Sequence, residues 1–326
     1  ATMCGKTSSS KIKEDSRDKH DGTANTTDGN EVQSIYLIDC MRLHRKMSMA
    51  QTMELSTDID FVEAELDYIV DDGIPPVRYV DWPEQAHKAH PATYEKHQTR
   101  IHNGRSTRGS FTLQSHGFSL VDHKTRVQDF FDEEEVVRVY FPETEKLIKS
   151  TSGAARVLVF DHTVRTADEL RHAERWIRQT VHAVHNDYTE RSAPQRVRDL
   201  LSADEAEAAL RRRFAIIQTW RSVAPTVESE PLAMCDGRSI PESGFIRNQR
   251  RYRDRTAETY HITYNPAHRW YYFPLMTHDE ALVFKVFDTD ASAGVRYTAH
   301  TAFDDPTSPP NAKHRESIEM RALAFF

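Results

Sequence analysis

Short runs of β-branched and aromatic residues fill the last third of the chain. Between Phe214 and Phe326 they are separated by Pro, Asn, Asp and Gly, and they read FAIIQTW, PLAMCD, TYHITY, RWYYFPLM, ALVFKVFD, VRYTAHTAF and ESIEMRALAFF. An earlier run, Ala155–Thr163, has the same texture. Many short strands joined by turn residues are typical of an all-β sandwich or barrel. The pattern therefore predicts a mainly β protein with flanking helices and a double-stranded β-helix, or jelly-roll, core.

Helical signals lie before and between these strand runs. Residues 57–70 repeat apolar side chains at helical spacing, which predicts an amphipathic helix. Residues 129–150 carry acidic side chains first and lysines last, the order that a helix dipole favours, with a kink expected at Pro142. A capping signature from Ser202 to Glu205 predicts another helix. We expect these helices to pack outside the β core.

The domain organisation follows from where buried residues can occur. The first 32 residues hold almost nothing that can be buried, so burial would not offset the entropy of ordering them. We therefore expect a disordered tail over residues 1–32 and a single jelly-roll domain over residues 33–326. Within that domain, residues 83–109 are polar, rich in histidine and without a period, which predicts an irregular surface segment.

Composition excludes several kinds of partner. With 43 Lys and Arg against 50 Asp and Glu, the chain offers no overall field for a polyanion, so we expect no nucleic-acid partner. No apolar run approaches the roughly 18 to 20 residues that a membrane span needs. Three cysteines without paired spacing fit a reducing compartment. We expect a soluble, cytoplasmic protein that binds a small molecule, and a homodimer is left open.

The stretch TVHAVHND, Thr180 to Asp187, offers metal-binding chemistry. Its β-branched residues favour a strand, on which His185 and Asp187 share one face while His182 points to the other. A helix would instead bring His182 and His185 together. His-x-Asp supplies two ligands of the 2-His-1-carboxylate triad that holds non-haem Fe(II). The tripeptide also recurs by chance, so a polar strand without metal is the alternative.

Candidates for a third metal ligand and for an anion-binding group lie near the C-terminus. His300 lies in a predicted strand, and Arg315 follows fifteen positions later. A guanidinium binds a carboxylate through two parallel hydrogen bonds, which suits a dicarboxylate co-substrate. Strand alternation gives Arg315 and Arg321 the same polar face; distance from His300 favours Arg315, and Arg321 is an alternative holder of a substrate carboxylate. Either arginine could instead pair with Glu319. The competing histidines, interpreted as structural or solvated, are His261, His268, His278 and His314.

Longer segments carry a family resemblance. They are GAARVLVFDHTVR, VHNDYTERSAPQRV, PLAMCDGRSI, ETYHITYNPAHRWYYFPLMTHDEALVFKVFD and YTAHTAFDDPTSPPNAKHRESIEMRALAFF. Together they resemble the hydroxylase/desaturase family of fungal and bacterial secondary metabolism, which is similar to Fe(II)/2-oxoglutarate-dependent oxygenases. The resemblance implies His185, Asp187 and His300 on iron, and Arg315 on the C5 carboxylate of 2-oxoglutarate, with dioxygen as oxidant.

The resemblance also implies the reaction class. The family oxidises C–H bonds of small secondary-metabolite precursors, including amino acids and their derivatives, by hydroxylation, desaturation, ring closure such as aziridine formation, or endoperoxidation. Two other functions use the same fold. A zinc-dependent hydrolase or isomerase would use the same three residues with a bound water, but it has no use for Arg315. A metal-free jelly-roll binding protein would keep the fold without iron-dependent activity.

Overall fold

The computed structural model describes residues 59–168 and 177–326, and within these ranges fourteen strands form two sheets. The predicted tail over residues 1–32 lies outside the described residues. The strands are β1 (Phe61–Ile69), β2 (Val77–Tyr79), β3 (Tyr94–Asn103), β4 (Phe118–Asp122), β5 (Arg156–Thr166), β6 (His185–Asn186), β7 (Phe214–Ser222), β8 (Leu232–Cys235), β9 (Phe245–Arg251), β10 (Thr256–Ile262), β11 (Trp270–Tyr272), β12 (Glu280–Asp288), β13 (His300–Ala302) and β14 (Glu316–Phe325). The longer helices are α1 (Phe141–Ser152), α2 (Ser192–Leu200) and α3 (Ala203–Leu210).

The two sheets form a mainly antiparallel sandwich. One has nine strands in the order β1-β3-β11-β8-β13-β6-β10-β9-β2, and the other has five in the order β4-β12-β7-β14-β5. A large apolar cluster includes Met234 of the first sheet with Trp220 and Phe284 of the second. Burying apolar side chains of both sheets together is what holds such a sandwich. The predicted mainly β, jelly-roll core is confirmed.

Helix α1 covers the outer face of the five-stranded sheet. Its Ile148 packs in one cluster with Ile318 and Met320 of β14, the apolar face that strand alternation predicts. Pro142 stands at the start of α1, where a missing backbone N–H is tolerated, and a π-helical turn over Val136–Tyr140 precedes it. The helix predicted at Ser202 is α3. None of the helices within the described ranges has the length and apolarity of a membrane span.

The amphipathic helix predicted over residues 57–70 is wrong. That segment contains β1, whose residues alternate between exposed and buried from Phe61 to Leu66. Every residue of β1 pairs with β3. The irregular segment predicted over residues 83–109 is therefore also wrong where it contains β3. Val62 and Leu66 fit both a helical and an alternating pattern. The distant partner β3 decides between them because it supplies a complete antiparallel ladder.

Strand β1 also holds the segment that leads into β6. The Val184 N–H donates to the carbonyl of Asp67 at 2.9 Å, and the Ile262 N–H of β10 donates to the carbonyl of Val184 at 3.1 Å. Val184 is fully buried in a cluster with Leu66. The residue before His185 is therefore fixed on both sides by backbone hydrogen bonds, which limits where the His185 side chain can point.

Candidate active site

His185 and His300 lie opposite each other on adjoining strands. They are direct partners in the antiparallel pairing of β6 with β13, and their ring centroids are 4.4 Å apart. Asp187 follows just after β6, with its Oδ1 3.5 Å from His185 Nε2. One ligand atom of each residue lies within 4.8 Å of the others. The structure thus brings the three predicted side chains together, although β6 itself is only two residues long.

The surroundings of the two imidazoles suit metal binding. His185 Nδ1 lies 2.7 Å from the carbonyl of Ala183, so this nitrogen donates and Nε2 keeps its lone pair toward Asp187. Both ring nitrogens of His300 are buried and have no hydrogen-bond partner among the described residues. Burial lowers the pKa of His300 well below 6.5. Unpartnered buried nitrogens are costly unless a ligand satisfies them.

Asp187 is held as an oriented, ionised carboxylate. Burial raises its pKa, but Arg321, His185 and His300 outweigh that effect and lower it below 3.8. The Gln218 side-chain amide on β7 donates to Asp187 Oδ2 at 2.6 Å. Hydrogen bonds of this kind fix the direction of a ligating carboxylate. Gln218 could not be predicted from the sequence, because the pairing of β7 with β14 brings it to this position.

Arg321 is surrounded by carboxylates. It donates to Asp161 Oδ2 at 3.0 Å and, through a short contact, to Glu319, while its Nε lies 3.5 Å from Asp187 Oδ2. Burial lowers the pKa of Arg321, and these carboxylates raise it above its ordinary value. The pairing of an arginine with Glu319, one of the alternatives open from the sequence, therefore applies to Arg321. This guanidinium neutralises fixed charges of the protein.

Arg315 has a different environment. It is 3% exposed, and its Nη1 donates to the carbonyl of Glu230 at 2.6 Å. Its guanidinium lies 5.5 Å from the ring centroid of Trp220, and its Nε has no hydrogen-bond partner among the described residues. Burial lowers the pKa of Arg315 to about 10, so the group remains charged at neutral pH. A buried cation with spare donors is a site for an anion.

Two serines lie on the same face of the sheet as Arg315. Ser317 follows Arg315 on the same strand face, and Ser222 of β7 is its direct partner across the sheet. Both hydroxyls are buried and have no hydrogen-bond partner within the described part of the chain. Strand alternation predicts Ser317 on the polar face of Arg315, although the sequence assigns it no role. Ser222 could not be found without the strand register.

The remaining histidines have other surroundings. His182 Nε2 lies 3.2 Å from Glu230 Oε2, away from the three clustered residues, as strand alternation predicts. His261 Nδ1 hydrogen-bonds the Tyr94 hydroxyl at 2.9 Å, and its ring centroid is 6.0 Å from that of His185. His268 stacks on Tyr68, His278 is partly exposed and His314 is exposed. Only His261 lies beside the candidate site.

Several known proteins are similar to this chain. The hydroxylase/desaturase efuI of Hormonema carpetanum is 33% identical over 72% of this chain and 85% of its own length. The Fe(II)/2-oxoglutarate-dependent dioxygenase nvfI of Aspergillus novofumigatus is 31% identical over 70% of this chain and 83% of its own. A solved structure of the iron and alpha-ketoglutarate-dependent endoperoxidase NvfI superposes with a TM-score of 0.74 at 27% identity, covering 82% of this chain and 98% of that one.

The fold, the clustered residues and these relatives define an oxidoreductase with a jelly-roll core. Residues 66–325 match the family described as the Oxidoreductase/YMDC permease-like domain. The chain belongs to this family. The resemblance to fungal hydroxylase/desaturase proteins is confirmed, since several relatives carry that description, among them CTB9 of Cercospora beticola, which is 32% identical over 72% of this chain and 78% of its own length.

Proposed function

We propose that the chain is a non-haem Fe(II)/2-oxoglutarate-dependent oxygenase that oxidises a C–H bond of a small secondary-metabolite precursor. His185, Asp187 and His300 bind the iron, and Arg315 binds the C5 carboxylate of 2-oxoglutarate. One observation carries the proposal: a cluster of two imidazoles and a carboxylate, with His300 buried, faces the same interior as a buried guanidinium with spare donors. Relatives named as dioxygenases of this type support it.

The residues present fit the cofactor. Two imidazoles and one carboxylate on one face form the donor set of mononuclear iron oxygenases, and they leave positions for exchangeable ligands. The His300 nitrogens lack any other partner among the described residues, and the Ala183 carbonyl has already fixed the tautomer of His185. His185 Nε2 and the His300 nitrogens are therefore free of competing hydrogen bonds within the described residues, as metal binding requires.

Each residue of the site has a separate task. When bound, iron and 2-oxoglutarate together use dioxygen for an oxidative decarboxylation that yields succinate and carbon dioxide and oxidises a substrate C–H bond. Gln218 holds the Asp187 carboxylate toward the metal position. Arg315 and Ser317 orient the far end of 2-oxoglutarate through charge-assisted and neutral hydrogen bonds. Apolar walls such as Trp220 and Phe284 exclude water, which strengthens these interactions.

The class of oxidation depends on how the substrate sits above the metal. Hydroxylation, desaturation, ring closure and endoperoxidation share one set of protein ligands, so all four remain within the proposal. Arg315 favours the oxygenase over a zinc hydrolase, since hydrolysis by a metal-bound water needs no anion site at this depth. The net charge of −7 supports a small-molecule substrate over a nucleic acid. One catalytic domain over residues 33–326 remains part of this proposal.

Binding of Fe(II) and 2-oxoglutarate under anaerobic conditions tests the proposal. The wild-type protein should develop the visible metal-to-ligand charge-transfer band of a chelated 2-keto acid, and on exposure to oxygen it should form succinate. The changes His185→Ala and Asp187→Ala should abolish both signals. His182→Gln is the matched control, because this nearby histidine contacts Glu230 instead of the cluster. An absent band in the wild-type protein, or full activity with Zn(II) in place of Fe(II), would contradict the assignment.

A further inference from the structure

A third arginine, which the sequence analysis did not select, faces the same interior. Arg165 on β5 is the direct partner of Ser317 on β14. Alternate residues of a strand share a face, so Arg165 lies on the same side as Asp161 and Thr163, the two β5 residues that contact Arg321. Its guanidinium donates to the carbonyl of Gln179 at 3.0 Å, and no other partner is found for it among the described residues.

Arg165 lies within electrostatic range of the proposed metal ligands. Burial lowers its pKa, while Glu319 and Asp187 act in the opposite direction. Arg165 also contributes, after burial and His185, to the lowered pKa of His300. The charged groups that influence Arg315, in contrast, are Glu230, Glu319 and Arg165 itself. Across the sheet Arg165 is level with Ser317, two positions nearer than Arg315 to Arg321, whose Nε lies 3.5 Å from Asp187 Oδ2.

Arg165 has no ion pair with a carboxylate among the described residues. Arg321 is already neutralised by Asp161, Glu319 and Asp187. Under the proposed function, Arg315 takes the C5 carboxylate of 2-oxoglutarate, and the other carboxylate of that molecule lies on the metal. A partly buried guanidinium with a single carbonyl partner still lacks a counter-ion, which makes it a site for another anion.

We propose that Arg165 binds a carboxylate of the primary substrate, so that the enzyme acts on a carboxylic acid. This inference rests on the proposed function. Arg315 is almost fully buried, as suits a co-substrate that binds first and deep in the barrel, whereas Arg165 is partly exposed and lies where a second molecule can reach it. From the sequence, Arg321 is the alternative holder of a substrate carboxylate. Because Arg321 is already surrounded by carboxylates of the protein, we assign this role to Arg165 instead.

The first measurement separates the two arginines. Anaerobic titration of the iron-loaded protein with 2-oxoglutarate gives Kd from the charge-transfer band for the wild type, Arg165→Gln and Arg315→Gln. Arg165→Gln should leave Kd within about threefold, whereas Arg315→Gln should raise it about 10- to 100-fold, the loss of a charge-assisted pair. Arg178→Gln is the matched control, since the Arg178 side chain is exposed and its backbone forms an isolated β-bridge with Arg165.

The second measurement identifies the substrate class. A panel of amino acids, hydroxy acids and aromatic acids, each beside its primary amide, is added to the protein loaded with iron and 2-oxoglutarate. At least one acid should perturb the charge-transfer band and stimulate succinate formation more than its amide does. Arg165→Gln should weaken that response about 10- to 100-fold, Arg165→Lys should restore part of it, and Arg178→Gln should leave it unchanged.

Each outcome decides the inference. The inference is overturned if the wild-type protein prefers no acid of the panel over its amide. It is also overturned if the Kd for 2-oxoglutarate rises equally in Arg165→Gln and Arg315→Gln, because both arginines would then bind the co-substrate. Thermal melting of each variant excludes unfolding, and Arg165→Lys supplies a conservative variant if Arg165→Gln does not fold. Failure of the proposed function is recognised separately, as a missing charge-transfer band in the wild-type protein.

Discussion

Two arginines six positions apart on one strand face lie in different surroundings. Arg321 contacts carboxylates of the protein itself. Arg315 contacts a backbone carbonyl and an indole ring, and its own Nε–H has no hydrogen-bond partner among the described residues. Their side-chain chemistry is identical, so the difference comes from their neighbours alone. A guanidinium already paired with carboxylates has little affinity left for a further anion, whereas an unpaired one in a dry site binds it strongly.

The change Arg315→Gln tests this difference. We expect the KM for 2-oxoglutarate to rise about 10- to 100-fold, because a charge-assisted hydrogen bond to the C5 carboxylate is lost. The measurement is succinate formation against 2-oxoglutarate concentration, with Arg178→Gln as a control of equal charge change at an exposed position. An unchanged KM would show that another group binds the co-substrate.

The contact between Glu230 and His182 gives a pH dependence of stability. Burial raises the pKa of Glu230, but hydrogen bonds from His182 and Thr180 outweigh it and lower the pKa to about 2. The same contact, with a smaller contribution from Asp304 and an opposing one from Arg315, raises the pKa of His182 above 6.5. The Glu230 contribution is therefore present above its unfolded pKa of 4.5, and the His182 contribution is present below 6.5.

The change Glu230→Gln should reduce the free energy of unfolding most between these two pKa values. We expect a loss of about 1 kcal/mol there, since the pair is partly exposed. The loss should shrink as the pH rises and His182 becomes neutral, and also as the pH falls toward 2 and Glu230 is protonated. Urea unfolding of both proteins at several pH values measures the difference. A loss that does not vary with pH would point to packing as its cause.

The sequence predicts those residues of the candidate site that follow from alternation along one strand or from spacing along the chain. His185 with Asp187 follows from alternation along one strand, and His300 with Arg315 follows from a plausible spacing. Gln218 and Arg165 were out of reach, because β7 and β5 bring them to the site only through pairing with β14. No local pattern encodes that register, which the packing of the whole core decides.

At the scale of elements, β1 is where local pattern and structure disagree. Its apolar residues can be assigned to a helical stripe or to one face of a strand, and Ala64 distinguishes the two. On a helix Ala64 would lie opposite the stripe that contains Val62 and Leu66; on the strand it is buried with them, at 6% exposure. Pairing with β3 contributes a ladder of backbone hydrogen bonds that an isolated helix of this length cannot match.

The change Ala64→Asp tests this assignment and its link to the site. A buried, unpaired carboxylate should lower the free energy of unfolding by about 2 to 4 kcal/mol. Since β1 holds Val184, affinity for Fe(II) should fall as well. Urea unfolding and anaerobic Fe(II) titration measure the two effects, with Glu65→Ala on the exposed face expected to stay within about 0.5 kcal/mol. A harmless Ala64→Asp would favour the helical interpretation.

At the scale of the whole molecule, the candidate site joins the two sheets. Two of the proposed metal ligands, His185 and His300, lie on strands of the nine-stranded sheet, whereas Gln218, Ser317 and Arg321 extend from the five-stranded sheet. 2-Oxoglutarate, bound at one end to the metal and at the other to Arg315, would connect the same two layers. A ligand that binds only the folded protein stabilises it by RT ln(1 + [L]/Kd), where [L] is the free ligand concentration.

Binding should therefore stabilise the protein in two dependent steps. At free concentrations about 100 times Kd, each ligand should add about 2.7 kcal/mol, or about 5 to 10 °C in Tm for a domain of this size. Anaerobic thermal melting should show the 2-oxoglutarate increment only after Fe(II) has bound, because one end of the molecule needs the metal. His300→Ala should lose both increments, whereas Arg315→Gln should keep the Fe(II) increment and lose about half or more of the second at the same 2-oxoglutarate concentration. An increment from 2-oxoglutarate without metal would mean that it binds elsewhere.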